Sequence, residues 1–212
     1  MNNETKILGG IILTTVVLFI VGVMSIGSKE EVKTDLLKEL ETVTGKNVKG
    51  NPDGKDIVIE FADFQCPACA TFAPILGQFV EANKDSVKFV AKHFPLTSIH
   101  KNAMNSAYAA ESAAKQGKFW EMHDLLYSRQ SEWSESDNAQ EQFTSYAEEL
   151  KMDTEKFKND FLSKEVRDIV RDDLTLSLKL GLSSTPTIFI NGKKYVGPAT
   201  LADLNSALEK SR

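Results

Sequence analysis

Cysteine is scarce in this chain: its 212 residues include only two, Cys66 and Cys69, within DFQCPACATFAP (63–74). Clusters of lysine and arginine are also missing, and the net charge is -5. A nucleic-acid-binding surface normally shows a basic excess or stripe, so we predict no nucleic-acid partner. The sequence has no internal repeat and an ordinary hydrophobic content of 42%, so we expect one well-packed domain.

The small number of possible metal ligands narrows what the two cysteines can do. A structural zinc ion needs four ligands of Cys or His type. No third cysteine exists, and His93, His100 and His123 lack paired metal-ligand spacing, so we predict no metal. A purely structural disulfide between Cys66 and Cys69 would close a tiny loop and stabilise little. The other alternative is a redox-active pair.

Alanine is absent from residues 1–61, which argues against an A-x-A-like signal-peptide cleavage site. Residues 7–26 form a run of 20 residues without a charge, about the length a helix needs to cross the ~30 Å hydrocarbon core of a bilayer. We therefore expect an uncleaved transmembrane anchor over 1–27, with a cleaved signal peptide as the alternative. Because no cysteine follows the run directly, a lipid-modified cysteine is excluded.

The next segments alternate between turn signals and periodic elements. Residues 28–50 are a charged connector whose apolar residues fall at near-helical spacing, and GNPDG (50–54) is a turn cluster that marks the entry to the domain. DIVIEFADF (56–64) is typical of a buried strand. A helix is predicted from Pro67 to about Ala82, and a second strand over 86–94.

The second half of the chain is mostly helical. Apolar stripes over about 98–181 predict five helices between the second strand and the last part of the sheet. TPTIFINGKKYVG (185–197) predicts a hairpin, since Asn-Gly between apolar runs is a strong turn signal. A last helix is expected from about Thr200 to Lys210.

The flanks of the cysteine pair favour redox chemistry. Cys66 follows a predicted strand and Pro67 opens a predicted helix, where its missing N–H costs nothing. The unpaired N–H groups of residues such as Ala68 and Cys69, together with the helix dipole, favour the Cys66 thiolate. Cysteines in such positions have pKa values lowered to about 3.5–7.5. We predict that Cys66 attacks and that Cys69, one turn inside the helix, resolves the mixed disulfide.

The motifs EFADFQCPAC (60–69) and TPTIFING (185–192), with the helical insertion between them, resemble the thioredoxin superfamily in its DsbA-like branch of thiol–disulfide oxidoreductases. Residues 93–127 are similar to the insertion of membrane-anchored and secreted bacterial members. The resemblance implies an α/β, thioredoxin-like fold over 51–212 with a helical insertion over about 98–181. In the full chain, the predicted transmembrane helix precedes this domain.

The resemblance also implies roles for site residues. Pro186 would follow a cis peptide bond and lie against the sulfurs, and the Thr185 backbone would pair with a substrate strand. Glu60 would lie beneath the cysteines and relay a proton to or from Cys69; the alternative is a structural ion pair with a lysine. Catalysis would need no cofactor besides the Cys66–Cys69 disulfide.

Residues near the cysteines complete the predicted groove. Pro67 and Ala68 are predicted to contact the substrate, Asp63 and Gln65 to line the rim, and His93 and His100 to lie outside the site, near the surface. The Pro67-Ala68 dipeptide departs from the Pro-His of the strongly oxidising enterobacterial type. We therefore expect a potential between about -120 mV for DsbA and about -270 mV for thioredoxin.

The predicted function is an extracytoplasmic thiol–disulfide oxidoreductase that introduces disulfides into secreted proteins. Its partners would be reduced or unfolded secreted polypeptides, a membrane reoxidase of DsbB-like or VKOR-like type, and the membrane through residues 7–26. The absence of a third cysteine fits an oxidising compartment. The alternatives are a reductase or isomerase on the same fold, and a non-catalytic extracytoplasmic binding module.

Overall fold

A computed structural model of the chain describes residues 47–212. The predicted anchor over 1–27 and nearly all of the 28–50 connector lie outside the described residues. No helix within 47–212 combines the length and the apolar character needed to cross a bilayer.

A five-stranded sheet forms the centre of the domain, with spatial order β1-β3-β2-β4-β5. Strands β2 and β3 run parallel, whereas β1 is antiparallel to β3, β4 to β2, and β5 to β4. The buried, β-branched and aromatic sequence of β2 suits a central strand. The strand bounds are β1 Val48–Gly50, β2 Asp56–Ala62, β3 Val87–His93, β4 Thr187–Ile190 and β5 Lys193–Lys194.

Eight helices surround this sheet in the described part of the chain. The first follows β2 directly, six separate β3 from β4, and the last follows β5. Their bounds are α1 Pro67–Ala82, α2 Ala103–Ala114, α3 Phe119–Ser128, α4 Gln130–Trp133, α5 Ala139–Glu149, α6 Thr154–Leu162, α7 Lys164–Lys179 and α8 Leu201–Ser211.

Helix α1 contributes to two hydrophobic cores. Phe72, Leu76 and Phe79 pack with apolar residues of the sheet and of α8. Cys69 lies on the same helix, closer to its N-terminus than these three residues. It belongs to a second core formed mainly by the inserted helices. Helix α1, whose N-cap is Cys66, therefore packs against both cores, which fixes the position of its N-terminus.

Within residues 47–212 the predicted α/β fold with a helical insertion is confirmed, with two differences of detail. Strand β1 lies within the segment expected to be connector, because Val48, Lys49 and Gly50 pair with β3; the sheet thus begins before the predicted boundary at 51. The insertion contains a short sixth helix, α4, whose Trp133 is fully buried. Four residues are too few for a periodic pattern to reveal it.

Candidate active site

The cysteine pair lies at the junction between β2 and α1. Cys66 is the N-cap residue of α1, with extended backbone angles (φ -73°, ψ 121°), and Pro67 is the first helical residue. The Cys66 N–H donates to the Asp63 carbonyl at 3.0 Å, and the Cys66 carbonyl accepts the first helical bond, from Ala70 N–H at 3.1 Å. The predicted placement of Cys66 at the helix N-terminus is confirmed.

The environment of Cys66 favours its thiolate. The pKa of Cys66 is lowered to about 5, first by a hydrogen bond from the Cys69 thiol and further by the backbone N–H groups of Cys69 and Ala68, while burial opposes the change. The helix-terminal N–H groups were expected from sequence. The larger contribution, a thiol donor inside the pair itself, was not.

Cys69 has the opposite character. It is 0% exposed, and its pKa is raised far above the usual range because its thiol donates to Cys66, because burial disfavours its charge, and because the Glu60 charge repels a thiolate. The reduced pair therefore holds one proton, on Cys69, over a wide pH range. Such an asymmetric pair has one nucleophile ready to react and one thiol that must lose a proton first.

The loop before β4 lies against Cys66. The Thr185–Pro186 peptide bond is cis, as predicted, and the Cys66 Sγ is 3.5 Å from the Thr185 carbonyl oxygen. Pro67 and Ala68 are exposed beside the buried sulfur, and Pro186 is half-buried. The structure thus gathers these predicted residues around one sulfur; their contacts with a substrate remain predictions.

Glu60 is buried in the middle of β2. Its backbone lies between Ala91 of β3 and Ile188 of β4, and the residue is only 1% exposed. Its Oε1 atom has no hydrogen-bond partner among the described residues, and none of them forms an ion pair with it. The structural ion pair considered as an alternative is therefore not found within 47–212. Burial raises the pKa of Glu60 to about 8.

Asp63 holds the loop that leads to Cys66. One carboxylate oxygen accepts from the Gln65 N–H at 2.8 Å, and the other accepts from Leu96 N–H at 2.8 Å and lies 2.7 Å from His100 Nδ1. Asp63 and Gln65 are both buried. The prediction that these two residues line the groove rim is wrong, because both are buried and their side chains form hydrogen bonds with neighbouring segments.

A backbone group and a side chain of the insertion complete this support. The Gln65 amide oxygen accepts from Asn102 N–H at 2.6 Å. The Gln130 amide donates to the Phe64 carbonyl at 2.7 Å and to the Cys66 carbonyl at 3.1 Å. The helical insertion thereby positions the cysteine loop directly. No feature of the sequence distinguishes Gln130 from other polar residues of its segment, so reasoning from the sequence missed it.

Replacing Gln130 with alanine should destabilise the protein by about 1–3 kcal/mol, because two loop carbonyls lose a donor in a partly buried place. Urea denaturation of the Gln130→Ala variant measures this loss. The control is Gln78→Ala, on the exposed side of α1, which should change stability by less than about 0.5 kcal/mol. Equal effects of the two substitutions would contradict the supporting role of Gln130.

The histidines expected near the surface lie further inside. His93 is buried, with Nε2 2.8 Å from Glu111 Oε1, and His100 contacts Asp63 as described above. The prediction of surface positions is therefore wrong for His93, whose ring fills the core beneath the insertion and needs the Glu111 carboxylate as a polar partner. Neither histidine has a hydrogen bond to a cysteine sulfur among the described contacts.

No group of three or more His, Cys, Asp or Glu side chains in residues 47–212 is arranged to hold a metal ion. The chemically active groups that the structure gathers at this site are two sulfurs, one buried carboxyl group and the amides at a helix terminus. Together they suit thiol–disulfide exchange, in which one sulfur leaves as a stabilised thiolate while the other takes a proton.

The fold and the site define the class of thiol–disulfide oxidoreductases. Residues 42–210 match the family model described as Thioredoxin, and the chain belongs to this family. The resemblance to its DsbA-like branch is confirmed.

One solved structure supports this class, and a second shares the fold alone. The chain is similar to a thioredoxin-like oxidoreductase from Silicibacter pomeroyi (TM-score 0.69, 27% identity, 85% of this chain and 98% of that chain). The thiol-disulfide exchange protein α-DsbA2 from Wolbachia pipientis shares the fold (TM-score 0.70, 16% identity, 84% and 96% of the two chains).

A curated relative is named as an ion antiporter and not as an oxidoreductase. The chain is 35% identical over 162 residues to the Na(+)/H(+) antiporter NhaA 3 of Salinispora tropica, a match that covers 76% of this chain and 24% of the antiporter. The chain thus spans about a quarter of the length of the curated relatives it matches. Since the family model covers residues 42–210 of this chain, the shared segment overlaps the thioredoxin-like domain.

Proposed function

We propose that the protein oxidises pairs of thiols in exported polypeptides by dithiol–disulfide exchange through Cys66 and Cys69. The observation that carries this proposal is the asymmetry of the pair: a Cys66 thiolate stabilised at a helix N-terminus beside a Cys69 thiol that holds its proton. A stabilised Cys66 thiolate is a good leaving group, and it favours the reduced form of the protein over its disulfide.

The first step forms a mixed disulfide. A thiolate of the client attacks Cys66 Sγ, the Cys66–Cys69 bond breaks, and its electron pair leaves on Cys69. The Cys69 thiolate is strongly disfavoured in this place, so it takes a proton at once. Glu60 is the donor we propose, because with a pKa of about 8 it is protonated at neutral pH and its charge influences Cys69.

The second step releases the product. Another thiolate of the client attacks the client sulfur of the mixed disulfide, and Cys66 leaves as its stabilised thiolate. Two electrons have then passed from the client's two thiols to the cysteine pair. We propose that an extended client strand pairs with the Thr185 backbone during both steps and packs over Pro67, Ala68 and Pro186, since the Thr185 carbonyl lies 3.5 Å from Cys66 Sγ and main-chain hydrogen bonds hold an added strand.

The thiolate stabilisation sets an expected potential. The pKa of Cys66 is about 5, whereas the corresponding value in thioredoxin is about 7. At pH 7 this difference favours the reduced form over the disulfide by roughly 50-fold, or ~2.3 kcal/mol. It corresponds to a reduction potential about 50 mV higher. From about -270 mV for thioredoxin this gives roughly -220 mV. Such a value is more oxidising than thioredoxin and less so than DsbA.

The proposed location and partners suit the same chemistry. We propose that residues 7–26 anchor the protein and that the domain works on the extracytoplasmic side, where new disulfides persist. Turnover then requires a membrane reoxidase, of DsbB-like or VKOR-like type, that accepts two electrons from the reduced pair. The ion transport named in the curated relatives is not part of this proposal.

Two measurements on the full chain test the function. A glutathione equilibrium titration should give a potential near -220 mV, and the oxidised protein should form disulfides in a reduced, unfolded client at stoichiometric amounts. A potential below about -250 mV would favour the reductase alternative. Failure to oxidise any client thiol, with Cys66 unreactive, would favour a binding module instead.

A further inference from the structure

A cavity of about 330 Å³ lies between α1, α3 and the sheet. None of the residues that we propose to contact a client strand lines it. The lining is mostly apolar and combines small side chains of α1 with larger ones, namely Ala70, Ala73, Gly77, Leu76, Phe89 and Trp120. The cavity is therefore a second concave site, separate from the surface around Cys66.

Two polar side chains in the cavity wall have no partner. Glu60 and Tyr127 both line the cavity and are only 1% and 8% exposed. Neither Glu60 Oε1 nor the Tyr127 hydroxyl has a hydrogen-bond partner among the described residues. Because buried polar groups are normally hydrogen-bonded, these two atoms indicate that a polar group of a ligand lies at this end of the cavity.

The chemistry of Glu60 and Tyr127 defines one end of the ligand. Burial raises the pKa of Glu60 to about 8 and the pKa of Tyr127 well above its usual value. Below about pH 7 both groups are therefore neutral, and each can donate one hydrogen bond and accept others. A neutral hydroxyl group, which also donates and accepts, satisfies both atoms, whereas a charged group at this buried end would lose its hydration.

The volume of the cavity limits the ligand to one substituted ring. An apolar cavity of about 150 Å³ is enough to bind benzene, and ligand sites generally begin near 300 Å³. At about 330 Å³, this cavity has room for an aromatic ring with a small substituent at each end. Phe89 and Trp120, whose ring centroids are 5.5 Å apart, offer an aromatic surface to such a ring.

Lys49 defines the other end of the ligand. It lines the same cavity, and its Nζ atom lies 5.2 Å from the centre of the Trp120 ring. No carboxylate within residues 47–212 forms an ion pair with Lys49. Asp124, the exposed acid of the cavity lining, instead lies 2.8 Å from His123 Nδ1. A carboxylate of the ligand would therefore pair with Lys49, beside an aromatic surface.

We propose that this cavity binds a small aromatic acid, with its hydroxyl group hydrogen-bonded to Glu60 and Tyr127 and its carboxylate beside Lys49. This binding site goes beyond the proposed exchange function and involves no covalent step. Because the cavity shares no residue with the proposed client surface, the acid and a client chain can be bound at the same time.

The test uses 4-hydroxybenzoate as the probe and the full chain in its reduced form at pH 6. The protein has two tryptophans, so its NMR spectrum has two indole N–H signals, which Trp120→Phe assigns. Trp120 lines the cavity, whereas Trp133 is fully buried in the insertion and donates to the Leu126 carbonyl at 2.9 Å. The Trp120 signal should shift saturably, with a Kd on the order of 0.1–1 mM for so small a ligand, while the Trp133 signal should not move.

Probes that lack one group, combined with single substitutions, test each contact. Tyr127→Phe removes a hydroxyl group, so it should weaken the binding of 4-hydroxybenzoate roughly 3–10-fold and leave that of benzoate unchanged. Lys49→Met removes the cation, so it should weaken the binding of 4-hydroxybenzoate and benzoate about 2–5-fold and leave that of phenol unchanged. Lys55→Met removes the same charge from an exposed position outside the cavity and should change none of the three.

Gly77→Leu should fill the cavity without a clash. No atom lies within 4 Å of the Cβ that a side chain at Gly77 would add, and leucine is a good helix former. The binding of 4-hydroxybenzoate should weaken by more than about tenfold, because the leucine side chain and the probe cannot occupy the same volume. The matched control, Gln78→Leu, places the same side chain on the exposed side of α1 and should leave the Kd unchanged.

Three outcomes would overturn the inference. A Trp120 signal that does not move at about 10 mM probe would mean that only water occupies the cavity. Equal binding by Gly77→Leu and Gln78→Leu would place the probe elsewhere on the protein. Tighter binding of 4-hydroxybenzylamine, which carries a cation in place of the carboxylate, would exclude Lys49 as the partner. None of these results depends on whether the protein exchanges disulfides.

Discussion

Replacing Cys69 with alanine should convert the protein into a trap that keeps its client as a mixed disulfide. In the Cys69→Ala variant the Cys66 thiol remains and attacks a disulfide, which yields a Cys66–client bond and a free client thiolate. No second protein sulfur then resolves that bond. Non-reducing electrophoresis should show the complex, and a thiol reductant should release it.

Cys66→Ala is the matched variant, since it removes one sulfur and keeps the other. Cys69 is fully buried, with a strongly raised pKa, so this variant should form no mixed disulfide and should oxidise no client. Equal trapping by the two variants would show that the assigned roles of attacking and resolving cysteine are wrong.

The second large effect concerns stability and pH in the reduced protein. Between about pH 5 and pH 8, the ionisation of Glu60 and that of Cys66 should change the free energy of unfolding in opposite directions as the pH rises. In the wild type these two changes should nearly cancel. Each single substitution removes one slope and exposes the other. The expected slope is at most about 1.4 kcal/mol per pH unit for each group, which is the free energy of one bound proton per pH unit.

For Glu60 the sign follows from a raised pKa. Unfolded, the carboxyl ionises near 4.5, whereas in the folded protein it ionises at about 8. Between these values the folded state binds more protons, so stability is greatest below about pH 4.5 and falls as the pH rises toward 8. In the Cys66→Ser variant this slope should stand alone, with a total loss on the order of 5 kcal/mol.

For Cys66 the sign is reversed. Its pKa falls from 9.0 to about 5 on folding, so the unfolded state binds more protons between these values. Stability is then fully present above about pH 9 and is lost as the pH falls toward 5. The Glu60→Gln variant should therefore become more stable as the pH rises from 5 to 8.

Urea denaturation of the reduced proteins at several pH values measures all three profiles. The expected pattern is a nearly flat wild type, a falling Cys66→Ser profile and a rising Glu60→Gln profile. Since both substitutions are nearly isosteric, packing changes should shift a profile without changing its slope. Parallel profiles in the two variants would contradict the opposed ionisation of the two groups.

Much of this site could be predicted from the sequence because its determinants are local. A cysteine before a Pro-opened helix has its sulfur at the helix N-terminus whatever the surroundings. The Asn191-Gly192 turn has positive φ at both residues, which fixes the hairpin of β4 and β5. The cis bond before Pro186 came from family resemblance, since base rates favour the trans form.

The rest depends on contacts between distant segments. Asp63 meets Leu96 and His100, and Gln130 reaches back to the cysteine loop; no spacing rule along the chain indicates such pairs. The cavity beside Glu60 likewise exists because α3 packs at a certain distance from α1. Short elements escape detection as well, since β1 and α4 contain too few residues to show a period.

The most direct test of the central assignment is the pKa of Cys66, read from thiolate absorbance or from the pH dependence of alkylation in Cys69-intact reduced protein. The informative quantity is the pH midpoint of the Cys66 titration and not the absolute rate of alkylation. A lower pKa gives more thiolate but a weaker nucleophile, with a Brønsted coefficient of about 0.4–0.5. The structure predicts a midpoint near 5. A midpoint near the ordinary value of ~8.5 would mean that the helix terminus and the Cys69 thiol do not hold Cys66 as its thiolate.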